Sequence, residues 1–489
     1  MNNKTPFIFG GNINNANNYT IYFLRYYREK MINFIINEKI SSYFDSVKNF
    51  IEEIIYYMHE EILQVSKKTI EYEFSIKYLE NKYQINRMIK NKYDMSIFMD
   101  KYKNLIVIID NIIEQSILCY QKIIRRYLKD IPMLIERNFI DEESIKIKSI
   151  KFVGDRHNGG ERVAILETIS NKIVYKPRSL EPDKIFEKII ILLNDTLEEE
   201  RYKNIYPRTI DCGNYGWVEF INVQKQLSMN KEDFAAKLGV ITAIFQVFNT
   251  SDIHEDNILI YGDYPVVIDL ETIAQNTLYE DKLKTYSSGI LDSLIIKSFS
   301  RKNHIFRTRE ANRIFNKEQN KYKNILLRNE TIPLFIIDDY IEYFFDGYEK
   351  GIRFILLRKS EVIELINQYK NCKIRFIPRN TAFYQNLLNI ITNPILYRDF
   401  KICQEFLRIL LEDSRLNRIV DYEIRSLLNN DIPYFYTRIN SVNLYHIEGI
   451  IHNFFKMTTE TIIKSNIEKI SLEGLATQKK IIRDYLKKL

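Results

Sequence analysis

The feature that most constrains the fold is a change of hydrophobic period near Ile145. From Ile21 to about Leu128, apolar residues recur three or four positions apart, as in Phe50-Ile51, Ile54-Ile55, Met58 and Ile62-Leu63. That spacing lines one face of a helix. With almost no glycine or proline inside, the stretch reads as several long amphipathic helices. At Ile145 the period becomes two, in Ile145-Lys-Ile-Lys-Ser-Ile-Lys-Phe152. Gly154-Asp155-Arg156-His157-Asn158-Gly159-Gly160 follows, and then two strand-like runs, Arg162–Thr168 and Lys172–Tyr175, around a turn at Ser170-Asn171. A helical block followed by strand hairpins predicts an α+β chain.

At 489 residues there is material for two or three packed units. A composition of 45% hydrophobic and 28% charged residues is that of a folded chain. The net charge of +7 is the small difference between 71 basic and 64 acidic residues. Long basic tracts interleaved with aromatics are absent, which argues against nucleic acid as a partner. A mildly basic surface suits a nucleotide or an acidic peptide. The cysteines Cys119, Cys212, Cys372 and Cys403 are far apart and form no CxxC pair, so a disulfide framework or structural zinc is not expected and a reducing cytoplasm is. Residues 1–18 read as a mobile, Asn-rich arm without the apolar core of a signal peptide. Apolar runs such as Ile189–Leu193 are too short to span a bilayer, so no stable membrane insertion is expected.

Chemistry concentrates between Thr250 and Thr272. Asp252, His254 and Asn257 precede two short strands, Ile258–Ile260 and Pro265–Ile268, around a Gly262-Asp263 turn, and Asp269 and Glu271 follow. Carboxylates and an amide in a loop–hairpin frame can hold Mg²⁺ and a nucleotide phosphate beside an acceptor hydroxyl. With Asp269 and Glu271 two apart, a continuing strand would turn both carboxylates to one side. Upstream, Lys176-Pro177-Arg178 ends a strand, and Pro182 opens a helix expected over 182–194. Hairpin, strand-borne lysine and helix is the order of a kinase small lobe, in which Lys176 would bind phosphates and pair with Glu187; the alternative is a solvated lysine at a strand end. Asn214–Ile221 reads as a strand leading to a hinge, with Trp217 either a core anchor or part of the adenine site. Residues 275–330 read as a mobile activation segment. Ile374–Thr381 reads as a short extended segment, either a solvated strand end or one presenting Arg375, Arg379 and Thr381 to a phosphate or oxyanion. Beyond Tyr384 the pattern is helical, broken at Asn393-Pro394 and Asp431-Ile-Pro433, and it ends on the basic amphipathic run Lys479–Leu489.

Taken together these motifs resemble the dehydratase domain of class II (LanM-type) lanthipeptide synthetases. Gly154-Asp155-x-His157, Val174-Tyr175-Lys176-Pro177-Arg178, Tyr215–Ile221, Asp252-x-His254-x-x-Asn257 and Pro265–Thr272 stand in the family's order. So do Arg375-Phe-Ile-x-Arg379-x-Thr381-x-x-Tyr384, Pro394-x-x-x-Arg398-Asp399 and Asp431–Phe435. The resemblance covers about residues 145 to 440. It implies a core like a lipid kinase with two lobes and extensive helical N-terminal and C-terminal regions. The expected division is 1–140 helical, 141–223 small lobe, 224–390 large lobe with an insertion around 275–370, and 391–489 helical.

The activity implied is ATP- and Mg²⁺-dependent phosphorylation of Ser or Thr in a precursor peptide. Elimination of phosphate then gives dehydroalanine or dehydrobutyrine. By position, Asp252, His254, Asn257, Asp269 and Glu271 match phosphorylation residues, with Asn257 and Asp269 as metal ligands. Lys176 matches the nucleotide-site lysine, and Glu219 is assigned to the same site. Asp155, His157, Arg375 and Thr381 match elimination residues, with either Asp155 or His157 as the acid–base group. Two departures stand out. Gly160 is followed by Glu161, with Arg162 one place later than the family's arginine. The chain also stops where a full synthetase continues into a zinc-dependent cyclase, so either a separate cyclase closes the rings or the product stays uncyclised. The competing readings are a peptide Ser/Thr kinase without elimination and a non-catalytic peptide-binding pseudo-enzyme.

Overall fold

The computed structural model describes residues 18–80, 92–198, 201–222, 229–278, 293–300 and 335–488. Most of the expected N-terminal arm and much of the expected activation segment lie outside these residues. Helices and antiparallel sheets make the chain α+β. It forms two compact units, Met1–Tyr175 with Pro378–Pro433, and Lys176–Ile377 with Tyr434–Leu489.

The first unit opens with the helical block that the apolar spacing requires: Asn18–Asn37, Val47–Glu80, Lys92–Lys101 and Lys103–Glu136. On the last of these, Leu105, Ile109, Ile112, Ile123 and Tyr127 are wholly buried, a stripe at helical spacing. Strands β1 (Ile147–His157), β2 (Glu161–Thr168) and β3 (Lys172–Lys176) pair antiparallel, as the period-two pattern predicts. The β2–β3 turn at 169–171 is closed by the Thr168 N–H to the Asn171 carbonyl at 2.9 Å. The unit is completed by helices Thr381–Ile391, Phe400–Leu410 and Val420–Leu428, which share a core of Tyr384, Leu387, Leu407, Ile424 and Leu427. Asp399, part of the Pro394–Asp399 motif, caps the second of these by accepting from the Lys401 and Ile402 N–H groups.

The second unit is built around helix Lys231–Val247, whose first turn is capped by Asn230. Thirteen of its seventeen residues are buried, so it is enclosed nearly all round. It packs against helix Ile341–Leu357 through glycines. A Cβ on Gly239 would lie 2.0 Å from the Phe344 carbonyl oxygen, and one on Gly347 would lie 1.8 Å from that of Ala236. Backbone meets backbone there, and the stretch around Phe344–Tyr348 is this helix. Helix Glu181–Leu197 packs into the same core, with Pro182 in its first turn. Strands β4 (Thr209–Asp211) and β5 (Gly216–Glu219) pair antiparallel, as do β6 (Ile258–Tyr261) and β7 (Tyr264–Val267) around Gly262-Asp263.

The C-terminal region, expected to be helical, also contains strands. There β9 (Phe435–Arg438), β10 (Leu444–His446) and β11 (Gly449–Ile451) join β8 (Lys373–Phe376), which falls where an extended segment is expected, in an antiparallel sheet of order β11-β10-β9-β8. Aromatic residues drive this pairing. Phe435 is buried, and Tyr436 stacks on its cross-strand partner Tyr445 with ring centres 5.2 Å apart. Helices Thr459–Lys469 and Leu475–Lys488 follow. Among the described residues no helix is long and apolar enough to cross a membrane.

Candidate functional site

The buried helix Lys231–Val247 delivers the loop that carries the chemistry. Asn249 and Asp252 both take left-handed backbone angles, φ 52° and 59°. For a non-glycine residue such angles are uncommon and gather at functional sites. The loop is held in place by Ile253, which is buried and donates its N–H to the Ser293 carbonyl at 3.0 Å. It is closed by the Asn257 amide, which donates to the Asp252 carbonyl at 2.8 Å. The amide oxygen of Asn257 is then the atom left for a ligand. At the far end of the β6–β7 hairpin the Ile268 N–H donates to the Asn257 carbonyl at 3.0 Å, bringing Asp269 back beside Asn257. His254 accepts the Asp256 N–H on Nδ1 at 3.3 Å. In the neutral ring that leaves the proton on Nε2, a donor.

Asp269 and Glu271 face a common partner, though not through strand alternation. β7 ends at Val267, and Glu271 begins a turn. Both carboxylates converge on Arg178, with Nη2 3.2 Å from Asp269 and Nε 3.5 Å from Glu271. The third contact of this guanidinium is Asp183, at 2.8 Å from Nη1. Burial alone would lower the Arg178 pKa, but Asp183, Asp269 and Glu271 overcome that and raise it. Lys176 is 5% exposed and donates to the Ile268 carbonyl at 2.6 Å, with Asp183 at 3.4 Å. Asp183, in the first turn of its helix, is thus the partner of Lys176. Glu187, one turn farther along that helix, pairs with Lys184. Neither Arg178 nor Asp183 is singled out by the sequence as a site residue. β3 ends at Lys176 and Arg178 lies in the bend that follows, so no strand alternation announced its place.

Arg375 closes the cluster from β8. Its N–H donates to the Glu271 carbonyl at 2.8 Å, and its guanidinium pairs with the Glu271 carboxylate and lies 5.1 Å from the centre of the Tyr434 ring. Burial would push the Glu271 carboxyl up, but Arg375 and Arg178 override it and hold it below the ordinary carboxylate value. Asp252 shifts the other way. Burial raises its carboxyl, helped by Asp269 and Glu271 and opposed by His254 and Arg375. Within one cluster, then, Glu271 is paired and shifted down while Asp252 is shifted up.

Glu219 ends β5, where its carboxylate takes the Arg208 side chain at 3.2 Å. Trp217 is wholly buried edge-on to Tyr215, a core anchor. Magnesium carried on nucleotide phosphates retains water and phosphate oxygens and needs few protein ligands. The Asn257 amide oxygen and the Asp269 carboxylate are of that type. Among the described residues no group of three or more His, Cys, Asp or Glu side chains could hold a metal ion.

Asp155, His157 and Thr381 belong to the first unit, whereas Arg375 belongs to the second. Asp155, near the end of β1, accepts from Gln385 at 3.0 Å. Gln385 lies one turn beyond Thr381, the first residue of helix Thr381–Ile391. Arg375, Arg379 and Thr381 therefore do not share an extended segment, since β8 stops at Phe376 and Asn380 caps the helix. Arg379 turns inward, 2.7 Å from the fully buried Glu423. The displaced Arg162 forms a two-pronged pair with Glu61 at 2.6 and 2.8 Å.

The sequence family described as "Domain of unknown function (DUF4135)" matches residues 102–309 and 299–438, which include every site residue above. The chain belongs to that family. DUF4135 is the domain associated with LanM-type synthetases, in agreement with the motif resemblance. The chain is also 26% identical over 430 residues to the Lacticin 481/lactococcin biosynthesis protein LcnDR2 of Lactococcus lactis subsp. lactis, over 78% of this chain and 46% of that protein. This DUF4135 chain thus spans about half the length of its curated relative.

Proposed function

We propose that the protein acts in lanthipeptide maturation, as a dehydratase that phosphorylates Ser or Thr of a precursor peptide with ATP and then eliminates phosphate. The observation that carries this reading is the ion cluster of Lys176, Arg178, Asp183, Asp269, Glu271 and Arg375, buried except at Asp269, set against a loop that holds Asp252 in a strained backbone. Phosphoryl transfer needs positioned charge more than covalent chemistry. Lys176 and Arg178 supply cations for nucleotide phosphates, and Asp252 accepts the proton of the attacking hydroxyl. Asn257 and Asp269 are the residues to hold magnesium, which neutralises charge on the transferring phosphoryl group when bound. The His254 Nε2–H offers a donor to phosphate oxygens. The arrangement of these groups supports a lipid-kinase-like core.

For elimination, the family motifs assign Asp155, His157, Thr381 and Arg375. Removal of a weakly acidic α-proton needs a base, and the departing phosphate needs a cation. Arg375, permanently charged, meets the second need. The similarity to a lacticin 481/lactococcin biosynthesis protein supports a precursor peptide as substrate. Two variants test the assignment. Asp252→Ala should abolish phosphorylation yet still convert a pre-phosphorylated precursor, and Arg375→Ala should accumulate phosphopeptide. If both variants lose both steps equally, the division of labour is wrong.

A further inference from the structure

The Asp431-Ile-Pro433 element stands in the motif set without a task. In the first unit it meets the glycine loop that joins β1 to β2. Asn158, Gly159 and Gly160 take φ values of 47°, 80° and 83°, all left-handed. Successive N–H groups in such a run converge to form an anion-binding nest. Here the anion belongs to the protein. Gly159 and Gly160 donate to Asp431 Oδ2 at 2.7 and 3.1 Å, and Arg156 Nε reaches Oδ1 at 3.3 Å. Asp431 is 3% exposed, and Arg156 is itself fixed by Gln115 and Glu61.

The next residue completes the clamp. The Ile432 N–H donates to the Arg156 carbonyl at 2.8 Å, and the Ile432 carbonyl lies 2.8 Å from His157 Nδ1. A carbonyl only accepts, so Nδ1 carries the proton, and in the neutral ring Nε2 holds the lone pair. His157 is therefore set in the tautomer opposite to that of His254.

We propose that Asp431 is a positioning residue that, through the Gly159-Gly160 nest and the Ile432 carbonyl, holds His157 with Nδ1 protonated and Nε2 as the base for elimination. The catalytic part rests on the dehydratase reading above. In that step Nε2 takes the α-proton of the phosphorylated Ser or Thr, and the C–H electron pair becomes the Cα=Cβ bond. The Cβ–O bond breaks with its electrons leaving on phosphate, and the imidazolium returns its proton to water.

The test is a long-range ¹H–¹⁵N spectrum of the full chain labelled at histidine, with His157 assigned by the signal missing in His157→Gln. Six histidines make this tractable. Wild-type protein should show His157 protonated at Nδ1, and Asp431→Asn should convert it to a mixture. Gly159→Ala strains the nest while its Cβ meets nothing within 4 Å, so it should shift the tautomer in the same direction and stands in if Asp431→Asn does not fold. With pre-phosphorylated precursor peptide, kcat for elimination should fall about 100-fold or more in these variants, with phosphorylation from ATP retained. Nε2–H in the wild type, or a tautomer and kcat unchanged in both variants, would overturn the proposal. A wild-type protein that shows the Nδ1–H tautomer but never eliminates phosphate would instead defeat the dehydratase reading.

Discussion

Replacing Arg178 with Gln removes the one cation among the described residues that touches Asp183, Asp269 and Glu271 together, at 2.8, 3.2 and 3.5 Å. The three carboxylates do not suffer equally. Asp183 keeps Lys176 at 3.4 Å, and Glu271 keeps Arg375. Asp269 keeps neither cation, but its side chain is 38% exposed, so water screens it. The loss should therefore fall at the lower end of the range for breaking a buried pair, about 3 kcal/mol. For a folding unit of a few hundred residues that lowers Tm by about 6 °C. Asp269, no longer anchored, should also hold the metal-bound nucleotide less well, by roughly tenfold or 1.4 kcal/mol. Arg178→Lys keeps the charge, but a single ammonium cannot replace a planar fork reaching three carboxylates, so it should recover only part of either loss. Calorimetric melting and titration with ATP and Mg²⁺ read both quantities. If Arg178→Gln melts with the wild type and binds nucleotide equally, the cluster is not organised by this guanidinium.

Other outcomes follow from the same geometry. Gly347→Ala should cost about 3 kcal/mol, because its Cβ would meet the Ala236 carbonyl at 1.8 Å. A variant melting within a degree of the wild type would refute the backbone-to-backbone contact of the two helices. Because the Asp252 carboxyl is raised, the acid limb of kcat/KM for phosphorylation should lie above the ordinary aspartate value of about 3.9, and a limb at or below that value contradicts its role as base. Glu271 is shifted downward, so its ion pairs stabilise the fold above its ordinary pKa, and that part is lost as pH falls through the depressed value. In urea titrations across that acid range, Glu271→Gln should lose less stability than the wild type, and parallel curves would count against the assignment.

How far the sequence reaches can be judged from particular residues. The helical block, the β1–β2–β3 hairpins and the Gly262-Asp263 hairpin were legible because the apolar period is long or the turn residues are diagnostic. The strands β9 to β11 were not, being only three or four residues each and following Pro433. At the site, Asp252, Asn257 and Asp269 are brought close by local loop and hairpin hydrogen bonds that spacing can suggest. The contacts Arg178–Asp269, Arg375–Glu271 and Lys176–Asp183 span 91, 104 and 7 positions. The first two depend on tertiary folding that no local pattern encodes. The third depends on which turn of the helix faces the strand end, and the sequence pointed to the wrong turn. Arg375 and Arg379 show the opposite error. Closeness in sequence suggested a shared task, whereas a strand end and a capped helix send one to Glu271 and the other to Glu423.

The most direct test of the central claim is the mass of a cognate precursor peptide after incubation with the wild-type protein, ATP and Mg²⁺. Loss of one water per modified Ser or Thr, with phosphopeptide present only transiently, is the result the proposed dehydratase activity predicts. Stable phosphopeptide would reduce the protein to a peptide kinase, and an unchanged mass with no ATP turnover would contradict the account.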